Sequence, residues 1–418
     1  MEIKISREAN TSKNYKLAFI LIVSLFFLWA LTANLLPTLI PHLKKVCRLN
    51  NFESSLLDTA YWIAYFVMAI PAALIMKRTS YKRGIIIGLL VAAVGAWLFV
   101  PAASIREFWF FLLASFILAS GMAFLETAAN PYVAVLGNPA TAAQRLNFAQ
   151  AFNGLGAFLS AAVLSKVILS GKEYSNEQLD AMPAHQLSAY LTSEADAVKL
   201  PYIFIGLLLI AVAMLFVFTK FPVLEEEKEK TFSINPAILR KSHLRWGMVS
   251  QFFYVGAQVC ISSFFIRYCK NVGIGETQAT TYLGLLLLFF MVGRYSGAFL
   301  MKKYDSAKML VICCVANILL LTFIIFAGGQ SSIYALFGVE FFMSIMYPTI
   351  FSLAIKNLGK DTKSAAAFMV MTIIGGALIP PVMGRAIDVW NIQTAFLIPF
   401  LCFLVVAYYG LYKHKIWN

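Results

Sequence analysis

The sequence predicts an all-α membrane protein with twelve transmembrane helices in two six-helix bundles. Of its 418 residues 60% are hydrophobic and 13% are charged, whereas a soluble domain is roughly 45 to 50% apolar and about 25% charged. Apolar runs of about 20 residues, the length that crosses a bilayer core of about 30 Å, recur along the chain. A charged segment near the middle divides these runs into two groups of six. We therefore expect lipid to surround most of the protein.

The twelve apolar runs are the predicted helices. The first run is too long for the core of a signal peptide and lacks a small-residue cleavage site, so we expect it to remain as helix 1. The polar segment Ser170–Lys199 could form a short helix over the mouth of the protein, and we expect it to be a solvated cap and not a binding element. The predicted helices lie near residues 17–43, 55–76, 84–102, 108–136, 147–169, 200–219, 245–268, 277–301, 308–328, 331–355, 364–387 and 393–412.

The charged segment in the middle predicts the domain organisation. It contains four glutamates between Glu225 and Glu229 and five basic residues, a composition that cannot cross lipid. We interpret it as a cytoplasmic linker between two bundles. The predicted boundaries are 1–219 for the N-terminal bundle, 220–243 for the linker and 244–418 for the C-terminal bundle.

The positive charge of the chain predicts its orientation. The formal net charge is +14, which in a soluble protein suggests a nucleic-acid partner. Here most Lys and Arg residues fall in the segments that connect helices on one side, and such segments face the cytoplasm. The charge therefore predicts that both termini are cytoplasmic, and no nucleic-acid partner is expected.

Motifs of enzyme chemistry are missing from the sequence. It has no glycine-rich phosphate-binding loop, no metal-ligand spacing and no Ser/His/Asp set, and its four histidines are scattered. Its six cysteines lie mostly in apolar runs and show no redox spacing. We therefore expect a protein that is not an enzyme, carries no cofactor or metal, and does not hydrolyse ATP.

A weak internal repeat favours a carrier. Residues 69–78 (A-I-P-A-A-L-I-M-K-R) align with residues 294–303 (R-Y-S-G-A-F-L-M-K-K). Repetition between two halves is typical of transporters whose substrate site lies near the middle of the membrane.

Glu126 is the first candidate site residue. It precedes Gly137 by eleven residues, which places it about 16 Å from the end of its helix at 1.5 Å per residue. A charge at that depth costs at least about 2.5 to 3.5 kcal/mol on insertion scales, so such residues usually face a cavity and carry ions, protons or substrate. We predict that Glu126 takes part in proton coupling.

Amide side chains are the candidate sugar ligands. Asn147, Gln150 and Asn153 follow one another at spacings of three, which puts them along one face of helix 5. Amides suit sugar hydroxyls because each offers a donor and an acceptor, although such residues also tie helices together in bilayers. We favour the structural role for Asn147 and substrate binding for Gln150 and Asn153. Asn130 and Asn34 complete the predicted set on the N-terminal side.

Helix 7 has a similar polar stripe. Its members Gln251, Tyr254, Gln258 and Ser262 recur at spacings of three and four. Gln258 and Tyr254 are predicted to bind substrate, the tyrosine by stacking its ring on a sugar face. Tyr347 in helix 10 is a further candidate.

Glu340 is a second acid within an apolar run. It follows Ser331 by nine residues, hence lies about 13 Å deep. One interpretation makes it a second proton-coupling residue, and the other makes it the structural partner of Arg294, because buried opposite charges tend to pair. The sequence leaves both open.

Four segments resemble one known family. The sequence resembles the L-fucose/proton symporter family from about Phe19 to Tyr408, nearly the whole chain. The segments that carry the resemblance are 126–132 (E-T-A-A-N-P-Y), 145–157 (R-L-N-F-A-Q-A-F-N-G-L-G-A), 347–359 (Y-P-T-I-F-S-L-A-I-K-N-L-G) and 370–384 (V-M-T-I-I-G-G-A-L-I-P-P-V-M-G).

The resemblance implies a major facilitator fold with a central sugar site between the two halves. It further implies import of a monosaccharide together with a proton, in the inner membrane of a Gram-negative bacterium. By position, Glu126 matches the acid linked to proton and sugar, and Gln150 and Asn153 match polar residues of the sugar site. We expect a multi-pass inner-membrane protein that functions as a monomer in the lipid bilayer.

One residue departs from the family pattern. Where members of the fucose type carry an aspartate in helix 1, this chain has Pro37. Relatives in the broader family are associated with glucose, galactose, mannose or N-acetylglucosamine, some with sodium, so a hexose other than fucose and sodium coupling both stay open. An uncoupled carrier and a sugar sensor that moves nothing also stay open, although the short tails 1–16 and 413–418 argue against a sensor.

Overall fold

The computed structural model describes residues 12–33, 47, 51–136, 138–160, 178, 181–219, 221 and 236–413, and this part of the chain is almost entirely helical. We number the membrane spans α1 to α12 in chain order. Their bounds are Ser12–Ala33 (α1), Asn51–Arg78 (α2), Tyr81–Ile105 (α3), Phe108–Val135 (α4), Ala142–Leu159 (α5), Ala184–Phe218 (α6), Ser242–Asn271 (α7), Glu276–Leu300 (α8), Ser306–Ala327 (α9), Ser331–Ala354 (α10), Gly359–Val389 (α11) and Ile392–Tyr412 (α12).

All twelve predicted helices have a counterpart among these spans. Within the described residues, ten helices are long and apolar enough to cross a membrane. The other two are α1, whose apolar part is Ala18–Ala33, and α5, which carries the predicted polar face. The predicted continuations of helix 1 to residue 43 and of helix 5 to residue 169 lie outside the described residues.

The sixth span is longer than predicted. It begins at Ala184, inside the segment that was expected to form a polar cap. The residues from Ala184 to Lys199 are mostly good helix formers such as Ala, Leu, Gln and Lys, so the helix continues beyond the apolar run. The rest of the predicted cap is largely outside the described part of the chain.

Two spans are interrupted where the site lies. The first part of α10 ends at Met343, and a second helical segment begins at Met346. In α11 a 3-10 turn, Thr372–Ile374, separates two α-helical segments. At the end of that turn a Cβ on Gly375 would lie 2.1 Å from the carbonyl oxygen of Phe252, so only glycine permits this approach to α7. Interruptions leave backbone carbonyls without helical partners and available to side chains.

The two halves of the chain meet mainly near one end of the molecule. We call the end at which α6 finishes and α7 begins the linker side, and the opposite end the distal side. The linker-side segment of α11, Thr362–Met371, packs on α2 and α4, and the linker-side segment of α10, Met346–Ala354, packs on α5. α8 also packs along α5. The division into domains at 219 and 244 stays a prediction, although α7 begins at Ser242, within the predicted linker.

Candidate functional site

A cavity of about 290 Å³ lies between the two halves of the chain. This volume is at the small end of the roughly 300 to 1,000 Å³ of small-molecule sites. The N-terminal half contributes α1, α2, α4 and α5 to its wall, and the C-terminal half contributes α7, α8, α10 and α11. Its polar lining consists of Glu126, Gln150, Asn153, Gln258 and Arg294 together with Tyr61, Tyr65 and Tyr347, and its remaining lining of Trp29, Ala30, Ala33, Trp62, Val255 and Ile373.

Glu126 joins the two halves at this cavity. Its side chain is 3% exposed, and its Oε1 accepts a hydrogen bond from the hydroxyl of Tyr347 on α10. The same oxygen accepts a second bond from Asn130 Nδ2, at 3.4 Å and one helical turn away. The carboxyl group therefore has one partner in its own helix and one in the opposite half of the chain.

Asn130 lies behind the cavity wall. It is fully buried, and its Oδ1 accepts a hydrogen bond from Gln150 Nε2 at 3.1 Å. It was predicted as a substrate ligand, but this arrangement makes it the link between Glu126 and Gln150. A change at Gln150 can thus reach Glu126 through one amide side chain.

Arg294 is the residue that connects most of the site. Its Nη1 donates to the backbone oxygen of Gln150 at 2.7 Å and to the side-chain oxygens of Gln150 and Asn153 at 3.1 and 3.3 Å. Its Nε donates to the Ser344 carbonyl, at the interruption of α10, at 3.1 Å. Its guanidinium also lies 4.5 Å from the ring centre of Phe290. Arg294 thus ties α8 and α10 to α5.

In one of the two interpretations that the sequence left open, Arg294 is the structural partner of Glu340. Within the described residues these two side chains form no ion pair. Glu340 is 1% exposed and accepts a hydrogen bond from Ser262 Oγ on α7 at 3.0 Å. It does not line the cavity, although it is near enough to Arg294 to interact electrostatically. The interpretation of Glu340 as a direct ion-pair partner of Arg294 is therefore wrong.

Tyr254 does not reach the cavity surface. It is fully buried, and its hydroxyl donates to the Met343 carbonyl, at the interruption of α10, at 2.9 Å. Its ring centre lies 6.4 Å from that of Tyr347. We expected the Tyr254 ring to stack on a sugar, but the structure does not place it at the cavity. The hydrogen bond to the Met343 carbonyl keeps Tyr254 behind Tyr347.

The remaining predicted residues fall into three groups. Gln258 and Asn153, both predicted to contact substrate, line the cavity. Asn153 Nδ2 also donates to the Phe26 carbonyl on α1 at 3.4 Å. Asn147 is buried away from the cavity and donates to Thr349 Oγ1 on α10 at 3.1 Å, which is the structural role favoured for it. Asn34 and Pro37 lie outside the described residues.

An aromatic wall is the part of the site that was not predicted from the sequence. Trp29 on α1 donates through Nε1 to the hydroxyl of Tyr65 on α2 at 3.0 Å, and the hydroxyls of Tyr61 and Tyr65 are 3.4 Å apart. Trp62 lines the cavity beside them. Tyr61 and Tyr65 are one helical turn apart, a spacing that could have indicated a shared face. Helix 1 offered no comparable signal, since Trp29 stands among apolar residues.

The chemistry available at the cavity follows from these contacts. One wall offers aromatic rings, the other offers amides and a guanidinium, and a buried carboxyl group joins the halves. Aromatic rings and amide groups together can hold a small polyol, and a carboxyl group can accept and release a proton. Among the described residues no group of three His, Cys, Asp or Glu side chains could hold a metal ion.

Comparison with known proteins agrees with this geometry. The family model described as Major Facilitator Superfamily matches residues 18–373. The chain is 42% identical to the L-fucose-proton symporter of Escherichia coli K12, over 98% of this chain and 96% of the relative. It is 38% identical to a glucose/galactose transporter of Brucella abortus, over 98% of this chain and 97% of the relative.

Solved structures give the same result. A crystal structure of the Escherichia coli fucose:proton symporter superposes with a TM-score of 0.89 at 41% identity, and covers 96% of this chain and 99% of that one. A proton:xylose symporter, only 11% identical, matches with a TM-score of 0.76 over 97% and 98% of the two chains, which speaks for the fold alone. The chain is therefore a multi-pass membrane transporter of the Major Facilitator Superfamily, and it belongs to the family of the L-fucose-proton symporter.

Proposed function

We propose that this protein imports a monosaccharide together with a proton by alternating access. The observation that carries the proposal is Glu126, a buried carboxyl group at the cavity surface that accepts a hydrogen bond from Tyr347 in the other half of the chain. The two most similar of the relatives named above are a fucose-proton symporter and a glucose/galactose transporter. The substrate class is therefore a hexose or deoxyhexose, with fucose, glucose, galactose and mannose as candidates.

Coupling follows from what a proton does to Glu126. The ionised carboxylate accepts hydrogen bonds from Tyr347 and Asn130. Protonation removes acceptor capacity and adds a donor, which weakens the bond to Tyr347 and so loosens one contact between the halves. Sugar hydroxyls at Gln150 act on the same group through Asn130, because the three side chains form one hydrogen-bonded series.

A proton suits this site better than sodium. Na⁺ requires several oxygen ligands with free lone pairs, whereas here Glu126 Oε1 accepts two donors and the side-chain oxygens of Gln150 and Asn153 accept from Arg294. Arg294, which is close enough to interact electrostatically with Glu126, adds a positive charge that opposes a metal cation there. Sodium coupling is the second candidate, and replacing each ion in turn during uptake separates the two.

The contacts between the halves support an outward-open state. They concentrate on the linker side, where Lys363 Nζ of α11 also lies 5.0 Å from the ring centre of Tyr81 on α3. If the linker is cytoplasmic, as the charge distribution predicts, the cytoplasmic end is closed. A crystal structure of the fucose:proton symporter in the outward conformation superposes on this chain with a TM-score of 0.89. We place the protein in the bacterial inner membrane with both termini in the cytoplasm, acting as a monomer.

Loss of the amides at Gln150 or Asn153 is expected to weaken sugar binding. Removing one hydrogen-bond partner from a buried polar group costs about 1 to 3 kcal/mol, so Gln150→Ala and Asn153→Ala should each raise Kd roughly five- to hundredfold. Isothermal titration with the transported sugar measures this. Gln278→Ala removes an exposed amide at the distal end of α8, outside the cavity, and is the control that should keep its affinity. Unchanged affinity in both site variants would reject the sugar site.

Glu340 is proposed as a second acid of the coupling machinery. Glu340→Gln keeps an acceptor for Ser262 Oγ but cannot exchange a proton, so we expect accumulation to fall at least fivefold while sugar exchange across the membrane continues. Uptake and exchange in the same vesicles measure the two. If Glu340 were only structural, Glu340→Gln would lower protein yield or thermal stability, while the protein that folds would accumulate sugar normally. That result would reject the coupling role.

A further inference from the structure

A second cavity lies on the outer surface of the C-terminal half. It is a groove of about 220 Å³ between α8, α9 and α10, which we call the outer groove. Its walls are almost wholly apolar and include Leu300, Ile312 and Phe342. Leu300 and Ile312 are exposed, so in a chain that spans a membrane they face lipid. The outer groove therefore opens toward acyl chains.

The outer groove runs along a single leaflet. Its lining extends from Gly293, seven residues before the end of α8 at Leu300, to Tyr304 in the loop on the linker side. Seven residues correspond to about 10 Å of helix, compared with roughly 15 Å for half of the bilayer core. At the end of the groove nearest the middle of the membrane, a Cβ on Gly293 would lie 2.3 Å from the Phe341 carbonyl oxygen. Close packing of α8 on α10 therefore closes this end.

Positive charge surrounds the mouth of the outer groove. Lys302, Lys303 and Lys308 are all exposed in or beside the loop between α8 and α9. Lys303 Nζ lies 5.8 Å from the ring centre of Tyr304, which lines the groove. The acid of this loop, Asp305, is committed to the helix, because it accepts hydrogen bonds at 3.0 Å from the backbone N–H groups of Ala307 and Lys308. The lysines therefore face the lipid headgroups as a net positive cluster.

We propose that the outer groove binds an anionic phospholipid. One acyl chain occupies the groove, and the phosphate lies against Lys302, Lys303 and Lys308. Basic clusters between transmembrane helices are known to attract acidic headgroups, and here the apolar groove directly below supplies a place for the chain. Two of the three helices that form the groove also carry residues near the transport site, Arg294 on α8 and Glu340 on α10. A bound lipid therefore stabilises the packing of α8 on α10 behind that site.

Native mass spectrometry of the full-length protein tests this proposal. The detergent-solubilised chain is titrated with phosphatidylglycerol and, separately, with phosphatidylcholine. Ser296 on α8 also lines the groove, so Ser296→Phe fills it with a ring. We expect tighter binding of phosphatidylglycerol, and at least a fivefold loss of that binding in K302Q/K303Q and in Ser296→Phe. Ser296→Ala removes the hydroxyl without filling the groove and should bind as the unmodified chain does. R267Q/K270Q removes two exposed charges from the distal end of α7 and should also leave binding unchanged.

Three results would overturn the proposal. Equal losses in K302Q/K303Q and R267Q/K270Q would mean that the lipid responds only to overall charge. Full binding of phosphatidylglycerol by a folded Ser296→Phe protein would exclude the groove. A dimer that forms in the unmodified chain and is lost in Ser296→Phe would assign the groove to a second copy of the chain. The K302Q/K303Q variant changes only exposed side chains, so it keeps the test decisive if Ser296→Phe fails to fold.

Discussion

Glu126→Gln is expected to abolish concentrative sugar uptake while leaving exchange of sugar across the membrane. A proton that enters down 100 mV delivers about 2.3 kcal/mol, and since about 1.4 kcal/mol corresponds to a factor of ten, one proton supports roughly fiftyfold accumulation. Glutamine cannot carry that proton, so the internal sugar concentration should rise only to the external one. Its side-chain oxygen still accepts from Tyr347, which preserves the contact between the halves.

The comparison uses transport in vesicles under an imposed membrane potential. Glu107, an exposed acid just before α4, provides the control, because Glu107→Gln makes the same chemical change outside the cavity and should accumulate sugar normally. Counterflow of labelled sugar separates lost coupling from lost folding. Full accumulation by Glu126→Gln would remove Glu126 from the coupling mechanism.

Arg294→Lys is expected to reduce both sugar binding and transport by more than tenfold. Lysine keeps the charge but lacks the planar set of donors, so it cannot bond Gln150, Asn153 and the Ser344 carbonyl together. Hydrogen bonds to charged groups are worth about 1.5 to 3 kcal/mol each, and losing one of them suffices for this effect. Transport rate and sugar affinity, measured on the purified variant, give the two numbers.

The exposed Arg267 is the matched control for Arg294. Arg267→Lys makes the same change at the surface of α7 and should leave transport unaltered. Because Arg294 and Glu340 form no ion pair, Arg294→Gln combined with Glu340→Gln should transport no better than Arg294→Gln alone. Recovery of transport in the double variant would restore the interpretation that these two charges exist for each other.

The membrane spans could be predicted from sequence because a lipid environment requires long, mostly apolar segments. A helix that crosses a bilayer needs about 20 apolar residues, so α2 and α9 are visible as runs without any tertiary information. Glu126 and Glu340 were visible for the same reason, since an acid within such a run is costly. The long α6 was underestimated because its first part extends past the apolar run and is polar.

The partners of each polar residue could not be predicted, since they depend on where helices break and how the halves meet. The stripe containing Tyr254 correctly indicated a polar face of α7. However, the break in α10 exposes the Met343 carbonyl, and the Tyr254 hydroxyl donates to that oxygen instead of facing the cavity. Charge alone made Arg294 one possible partner of Glu340, whereas in the structure Arg294 donates to amide and carbonyl oxygens of α5 and α10. Hydrogen bonds between side chains far apart in sequence leave no local pattern.

The most direct test of proton-coupled monosaccharide import is uptake by the purified chain in sealed lipid vesicles. A panel of labelled fucose, glucose, galactose and mannose is offered under an inward proton gradient, an inward sodium gradient, or neither, each with and without a protonophore. We expect at least one of these sugars to accumulate under the proton gradient alone, and the protonophore to collapse that accumulation. Accumulation that follows the sodium gradient and ignores the protonophore, or no movement of any sugar in the panel, would contradict the proposed function.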